Sequence, residues 1–173
     1  MDVDTLFSRI DTAEIFSSGN YMHEGVYVVE TKNILVKDGH KGQSFIVEFT
    51  ILESSNEQHK VGTTGSWIVK FAWKQTFGNI TKFVMALLGK NPNDKKLQED
   101  PKLRGEIGQI VRAVCGSDAA KKELGAAYEE GMLYGIPLRL ECSQTKTQPK
   151  PGKPEGGDFT VYTWSPLPDR TAS

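Results

Sequence analysis

The sequence predicts a mainly β fold with inserted helices, of the α+β class, and three observations support this prediction. Five segments alternate apolar with polar residues or are rich in β-branched and aromatic residues, which is typical of strands. Within the stretch from Gly62 to Asn91 the hydrophobic period lengthens to that of a helix. Turn and loop residues separate these segments, so the chain has the order three strands, helices, two strands.

The first two strands form a predicted hairpin. A strand opens at Gly25 and continues through GVYVVETKNILVK, which has no helical period. The KDGHKGQ segment, residues 37–43, has the composition of a hairpin turn with residues at positive φ. The second strand is SFIVEFTILE, and every second residue is expected to face the core, namely Phe45, Val47, Phe49 and Ile51.

The third strand and the first helix lie in one continuous stretch. Residues 66–77 alternate, which puts Trp67, Val69, Phe71 and Trp73 on one face of a strand. From Ile80 to Leu88 the apolar residues recur at helical spacing, so this segment is predicted to be a helix. Asn79 is its predicted N-cap, and Gly89 is predicted to end it in the left-handed region.

Residues 92–131 are predicted to be a helical insertion. Their first part, NPNDKKLQED, is polar and predicted to be irregular. Asp100 then caps a helix that begins at Pro101 and ends at Gly116, and a further helix is predicted over residues 117–131. Strand character returns in IPLRLECSQTK and, after a loop rich in proline, glycine and lysine, in FTVYTWSP.

Five strands with helices between the third and the fourth predict an OB fold, a five-stranded and partly open barrel. In such barrels the second and third strands, together with the 1–2 and 4–5 loops, bind oligonucleotides or oligosaccharides. The predicted boundaries are an N-terminal arm at 1–20, the OB-fold domain at 21–168 with its insertion at about 92–131, and a C-terminal tail at 169–173.

Composition limits the classes of function. At 173 residues, with 38% hydrophobic and 25% charged residues, the chain fits one globular domain. No apolar run approaches the roughly 18 residues that span a bilayer, and the N-terminus lacks the basic start of a signal peptide. We therefore predict a cytoplasmic protein, in the host cytoplasm if it is viral, with no membrane partner. Cys115 and Cys142 are predicted to be reduced core residues.

No motif for catalysis, a cofactor or a metal is present in the sequence. His23, His40 and His59 are far apart along the chain, and none has a cysteine or carboxylate at ligand spacing. Walker, HExxH, GxSxG and Rossmann patterns are missing as well. The sequence predicts a protein that is not an enzyme and needs no cofactor. A nuclease or annealing enzyme is disfavoured because no carboxylate cluster suits two metals.

Charge and aromatic residues point to a different function. The net charge is −1, yet residues 58–96 hold seven lysines and a single acid, and residues 138–154 hold four cations against Glu141. Single-stranded nucleic acid is bound by cations on its phosphates and by rings against its bases. The predicted phosphate contacts are Lys37, Lys41, Lys70, Lys74, Arg139 and Lys146, and the predicted base contacts are Trp73, Phe77, Tyr162 and Trp164.

Aromatic residues on strands are more often core than ligand contacts, and this alternative applies to several of them. Trp67 and Phe71 are predicted to be structural. Tyr162 and Trp164 share a strand face opposite Phe159 and Val161, so one of these two pairs must lie outside the interior.

The segments GNYMHEGVYVVETKNILVKDGHKGQSFIVEFTILES, YGIPLRLECSQTKT and FTVYTWSPL resemble the single-stranded DNA-binding proteins of tailed bacteriophages that have an OB fold. The resemblance implies a protein that coats and protects single strands without sequence preference during phage DNA replication or recombination. It also implies self-association and contacts with replication or recombination proteins. Such proteins often recruit partners through an acidic tail, whereas this chain ends PLPDRTAS. The alternative is a protein-interaction or structural OB module that does not bind nucleic acid.

Overall fold

The structure is a computed structural model that describes residues 22–115, 133–146, 149, 151–152 and 158–168. Within these residues the chain forms five strands and three helices. The strands are β1 (Gly25–Gly39), β2 (Gly42–Ser54), β3 (Thr64–Lys70), β4 (Pro137–Lys146) and β5 (Asp158–Pro166), and the helices are α1 (Thr76–Leu87), α2 (Lys95–Glu99) and α3 (Pro101–Cys115). The predicted arm at 1–20, the predicted helix at 117–131 and the tail at 169–173 lie outside the described residues.

The strands form one antiparallel sheet in the order β3-β2-β1-β4-β5. The mainly β class and the position of helices between the third and fourth strands are therefore confirmed. The predicted barrel is not closed, because β3 and β5 are the two edges of the sheet and share no backbone ladder within the described residues. Side chains meet across this gap instead. The centres of the Trp67 and Trp164 rings are 5.5 Å apart, and the Tyr162 hydroxyl donates to the Ser66 carbonyl oxygen (3.3 Å). We call this contact region the seam.

The β1–β2 hairpin forms as predicted, with its turn between Gly39 and Gly42 and a φ of +96° at Gly42. Phe45, Val47, Phe49 and Ile51 are all buried, as their alternation predicts. Register shifts at Val28/Val29 and at Thr31/Asn33 bend β1. Because of these bends, the first half of β1 pairs with both neighbours, whereas its second half pairs with β2 alone.

The predicted third strand is too long and the predicted helix after it starts too late. β3 ends at Lys70, and the chain then turns, with the Trp73 N–H donating to the Lys70 carbonyl oxygen (3.0 Å). The buried Thr76 hydroxyl also donates to the Lys70 carbonyl oxygen, so α1 begins at Thr76 and Asn79 is not its cap. The predicted end is confirmed, since Gly89 has a φ of +74° and donates to Ala86 (3.0 Å).

The insertion is more regular than its composition predicts. α2 forms within the segment predicted to be irregular, because the Asp94 side chain accepts the backbone N–H groups of Lys96 and Leu97. α3 begins at Pro101 as predicted, and the Asp100 side chain accepts the Lys102 N–H (3.0 Å). The apolar stripe of α3 is buried at Leu103, Ile107, Ile110 and Val114.

The core lies on the inner face of the sheet, where α1 and α3 cover it. Tyr27 and Cys142 are buried there, and burial raises the pKa of each to about 12. Within the described residues, no helix combines the length and the apolar character that crossing a bilayer requires.

Candidate nucleic-acid interface

Two predicted phosphate ligands, Lys37 and Lys70, lie in one row across the outer face of the sheet. Lys37 on β1 is opposite Ser44 on β2, and Ser44 is opposite Lys70 on β3. Side chains alternate along a strand, so these three point away from the core face that holds Phe45 and Val69. Two strand spacings separate the lysine Cα atoms, a distance of about 10 Å. We call Lys37, Ser44 and Lys70 the lysine row.

An apolar row lies beside the lysine row on the same face. Leu35 is opposite Ile46, and Ile46 is opposite Ile68, two residues further along each strand. The displacement between the two rows is therefore about 7 Å. Ile46 is only 3% exposed although it points away from the core. Leu35 and Ile68, on either side of it, are half-buried, so these two members of the row offer apolar surface beside the lysines.

Two exposed rings follow the end of β3, and one of them, Trp73, lies beside the lysine row. Trp73 is 42% exposed, and the Lys70 ammonium lies 5.8 Å from the centre of its ring. Phe77, in the first turn of α1, is 66% exposed and its ring lies 5.6 Å from that of Phe71. The Phe71 N–H donates to the Gln43 carbonyl oxygen (3.0 Å), which keeps this turn against β2.

Exposed lysines surround these rings. Lys74 is exposed in the turn after β3, and Lys41 is exposed at the tip of the β1–β2 hairpin, at the same end of the sheet. Six of the ten predicted site residues therefore lie on β1, in the β1–β2 hairpin, on β3, or between the end of β3 and the first turn of α1. We call this group the lysine–aromatic face, consisting of Lys37, Lys41, Lys70, Trp73, Lys74 and Phe77.

The prediction that Trp164 stacks on a base is wrong, because Trp164 is 4% exposed. Its ring contacts those of Phe83 (4.9 Å), Trp67 (5.5 Å) and Phe49 (5.7 Å). Within the described residues its indole N–H has no hydrogen-bond partner. The inner face of β5 points into the core under the seam, and a buried ring offers no surface to a ligand.

Tyr162 lies at the seam rather than on the lysine–aromatic face. Its ring is half-buried and packs 6.3 Å from Trp67. Its hydroxyl accepts the Met22 N–H (3.1 Å) and donates to Ser66, which ties β5 to β3. The exposed ring of β5 is that of Phe159, at 44% exposure, which is on the strand face opposite Tyr162 and Trp164.

Arg139 and Lys146 lie on the other half of the sheet. Along β1, the pairing with β4 is limited to Gly25–Glu30. Arg139 on β4 is opposite Val28, which lies nine residues before Lys37. That separation is about 30 Å of strand path. The Arg139 guanidinium also forms an exposed ion pair with Glu141 (3.5 Å). Lys146, at the far end of β4, is opposite Asp158. Neither cation joins the lysine row.

Sequence reasoning missed Ser44 and the apolar row. The signal was present in three consecutive apolar residues, Phe45, Ile46 and Val47, because a strand with alternating faces must put the middle one outside. It also missed a contact between two histidines 36 residues apart: His23 Nδ1 lies 2.7 Å from His59 Nε2.

The chain matches no family model and no curated protein. Among the residues that the structure describes, no group of three or more histidine, cysteine or acidic side chains is placed to hold a metal ion.

Proposed function

We propose that this protein binds single-stranded DNA across the lysine–aromatic face and does so without catalysis. The observation that carries the proposal is the lysine row, which ends beside the exposed Trp73 ring. Ammonium groups bind phosphates regardless of sequence, and every base has a π-face that can stack on an aromatic ring. Such a surface suits a strand-coating protein better than a sequence-specific one.

The spacing of the rows suits a nucleotide chain that crosses β1, β2 and β3. Phosphates over Lys37 and Lys70 leave the sugars and bases beside the half-buried Leu35 and Ile68, about 7 Å away. Beyond the apolar row lies Glu48, whose carboxylate accepts from the Asn33 amide (3.3 Å). A carboxylate at that side repels phosphate, so the backbone of the strand is expected to stay over the lysine row.

We assign the sheet to the OB-fold class on its strand order and its helix position. The β1–β2–β3 meander, the pairing of β4 with β1, and helices between β3 and β4 agree with that class. The lysine–aromatic face includes Lys70 on strand three and Lys41 in the 1–2 hairpin, which are among the regions that bind ligands in OB folds.

The resemblance to phage single-stranded DNA-binding proteins gives the proposed biological setting. The protein would coat and protect single strands in the host cytoplasm during phage DNA replication or recombination. Self-association and contacts with other replication or recombination proteins belong to the same proposal.

Titration of the full chain into fluorescently labelled oligo-dT at several salt concentrations tests the proposal. We expect a rise in anisotropy and quenching of tryptophan emission, with log K falling linearly as log salt rises, by about 0.7 for each phosphate neutralised. Unchanged anisotropy and emission at low salt would reject DNA binding. Retention of one protein partner together with that result would favour the interaction module.

A further inference from the structure

We propose that the contact between His23 and His59 is an acid-labile latch that holds the chain at Met22–Glu24 against the seam. The proposal is independent of DNA binding, because none of these residues lies on the lysine–aromatic face. The latch joins two segments that are distant in the sequence, the entry to β1 and the loop between β2 and β3.

The segment held by the latch, Met22–Glu24, bridges elements on both sides of the seam. Met22 is buried, its N–H donates to Tyr162 of β5, and its sulfur lies so close to Gly65 of β3 that a Cβ added there would be 2.7 Å away. The His23 carbonyl oxygen accepts the Tyr27 hydroxyl (2.8 Å). We call this segment the strap.

The strap also contacts the loop that carries His59. The Glu24 carbonyl oxygen accepts the Asn56 side-chain amide (2.8 Å). The His23 N–H donates to His59 Nε2 (2.9 Å), and His23 Nδ1 lies 2.7 Å from the same nitrogen. His59 Nε2 is therefore the single acceptor on which two contacts of the strap converge.

The backbone donor fixes the protonation state of His59. A backbone N–H can only donate, so His59 Nε2 must keep its lone pair and the proton of a neutral imidazole must be on Nδ1. His23 Nδ1 must then carry a proton and donate as well. Protonation of His59 Nε2 removes that lone pair, so the hydrogen bond from the His23 backbone N–H is lost and the two N–H groups repel each other.

The groups around His59 reinforce this preference for the neutral ring. His23 faces it from the strap and the Tyr27 ring packs against its edge from β1, with ring centres 5.8 Å apart. Burial, and then the charge of His23, lower the pKa of His59 from its ordinary value of 6.5. Tyr27 stays protonated, since its pKa is raised to about 12. The exposed Glu24, Glu57 and Lys60 act only through solvent.

The sign of the pH effect follows from this lowered pKa. Between the pKa of the latched ring and 6.5, the open state binds more protons than the latched state, so acid favours opening. The ratio of open to latched molecules is expected to rise as the pH falls below 6.5, by at most tenfold for each pH unit, until the latched ring itself titrates. Well above pH 6.5 this ratio is expected not to change with pH.

Two NMR measurements on the full chain test the latch. The ring ¹⁵N shifts are expected to show His59 with its proton on Nδ1 at pH 8 and a pKa below its ordinary value of 6.5. The protection factor of the His23 amide, which already corrects for intrinsic exchange, is expected to fall from pH 6.5 to pH 5.5, by at most about fivefold. The Val47 amide in the sheet centre is expected to keep its protection factor over this range.

The matched variant is His59→Gln, whose side-chain oxygen can accept the His23 N–H and does not titrate. We expect its His23 protection to be independent of pH. If His59→Gln does not fold, the ring ¹⁵N shifts of wild-type His59, which report its tautomer, still test the proposal. A proton on His59 Nε2 at pH 8, a His59 pKa at or above 6.5, or a His23 protection factor that does not change with pH would overturn the proposal.

Discussion

The two halves of the sheet carry similar residues in the sequence but present them differently. On the half formed by β1, β2 and β3, Lys37 and Lys70 share the outer face, and Trp73 and Phe77 are exposed after the end of β3. On β4 and β5, Trp164 is core and Arg139 is paired with Glu141. Strand parity and register, rather than composition, decide which aromatic and basic residues are available to a ligand.

The largest expected contrast between the two halves is in stability. Replacing a buried tryptophan with alanine removes its contacts and leaves a cavity, so Trp164→Ala is expected to lower the free energy of unfolding by about 3–5 kcal/mol. Trp73→Ala is expected to cost less than about 1 kcal/mol, because its ring is largely outside the core. Urea denaturation of both variants measures the difference.

The control for this contrast is Trp164→Phe. It keeps an aromatic ring in the core and removes an indole N–H that has no partner within the described residues. The loss in free energy of unfolding for Trp164→Phe should therefore be much smaller than that for Trp164→Ala. Equal losses for Trp164→Ala and Trp73→Ala would mean that Trp164 is not part of the core.

The next contrast concerns affinity for oligo-dT. Loss of one stacking ring is expected to weaken binding by about 1–3 kcal/mol, so Trp73→Ala should raise Kd by roughly 5- to 150-fold. Phe77→Ala should act in the same direction. Fluorescence anisotropy measures both.

Phe159→Ala is the matched control, since it removes an exposed phenylalanine from the other half of the sheet. We expect its Kd to stay within about twofold of the wild type, because a contact that is not made contributes no stacking free energy. A larger loss for Phe159→Ala than for Phe77→Ala would move the interface to β5.

Local signals in the sequence predicted most of the fold. Alternation identified the strands, the glycine-containing turn identified the first hairpin, and Asp100 with Pro101 identified the start of α3. Each of these depends on neighbours along the chain. The start of α1 could not be found in this way, because the alternation continues through residues 71–77, whereas the chain there turns and Trp73 and Thr76 donate back to the Lys70 carbonyl oxygen.

The candidate site was predicted only in part, for a reason of symmetry. An alternating strand has two faces, and the sequence of β5 does not tell whether Trp164 or Phe159 faces the core. Likewise, the place of Arg139 depends on its pairing with Val28, which no local pattern encodes. The His23–His59 contact depends on a long-range approach of the same kind.

The central claim is that the phosphates of single-stranded DNA contact the lysine row and not the β4 face. The most direct test compares the slope of log K against log salt for the wild type, Lys70→Gln and Arg139→Gln. We expect Lys70→Gln to reduce the slope by about 0.7 and Arg139→Gln to leave it unchanged. A slope reduced by Arg139→Gln and unaffected by Lys70→Gln would contradict the claim.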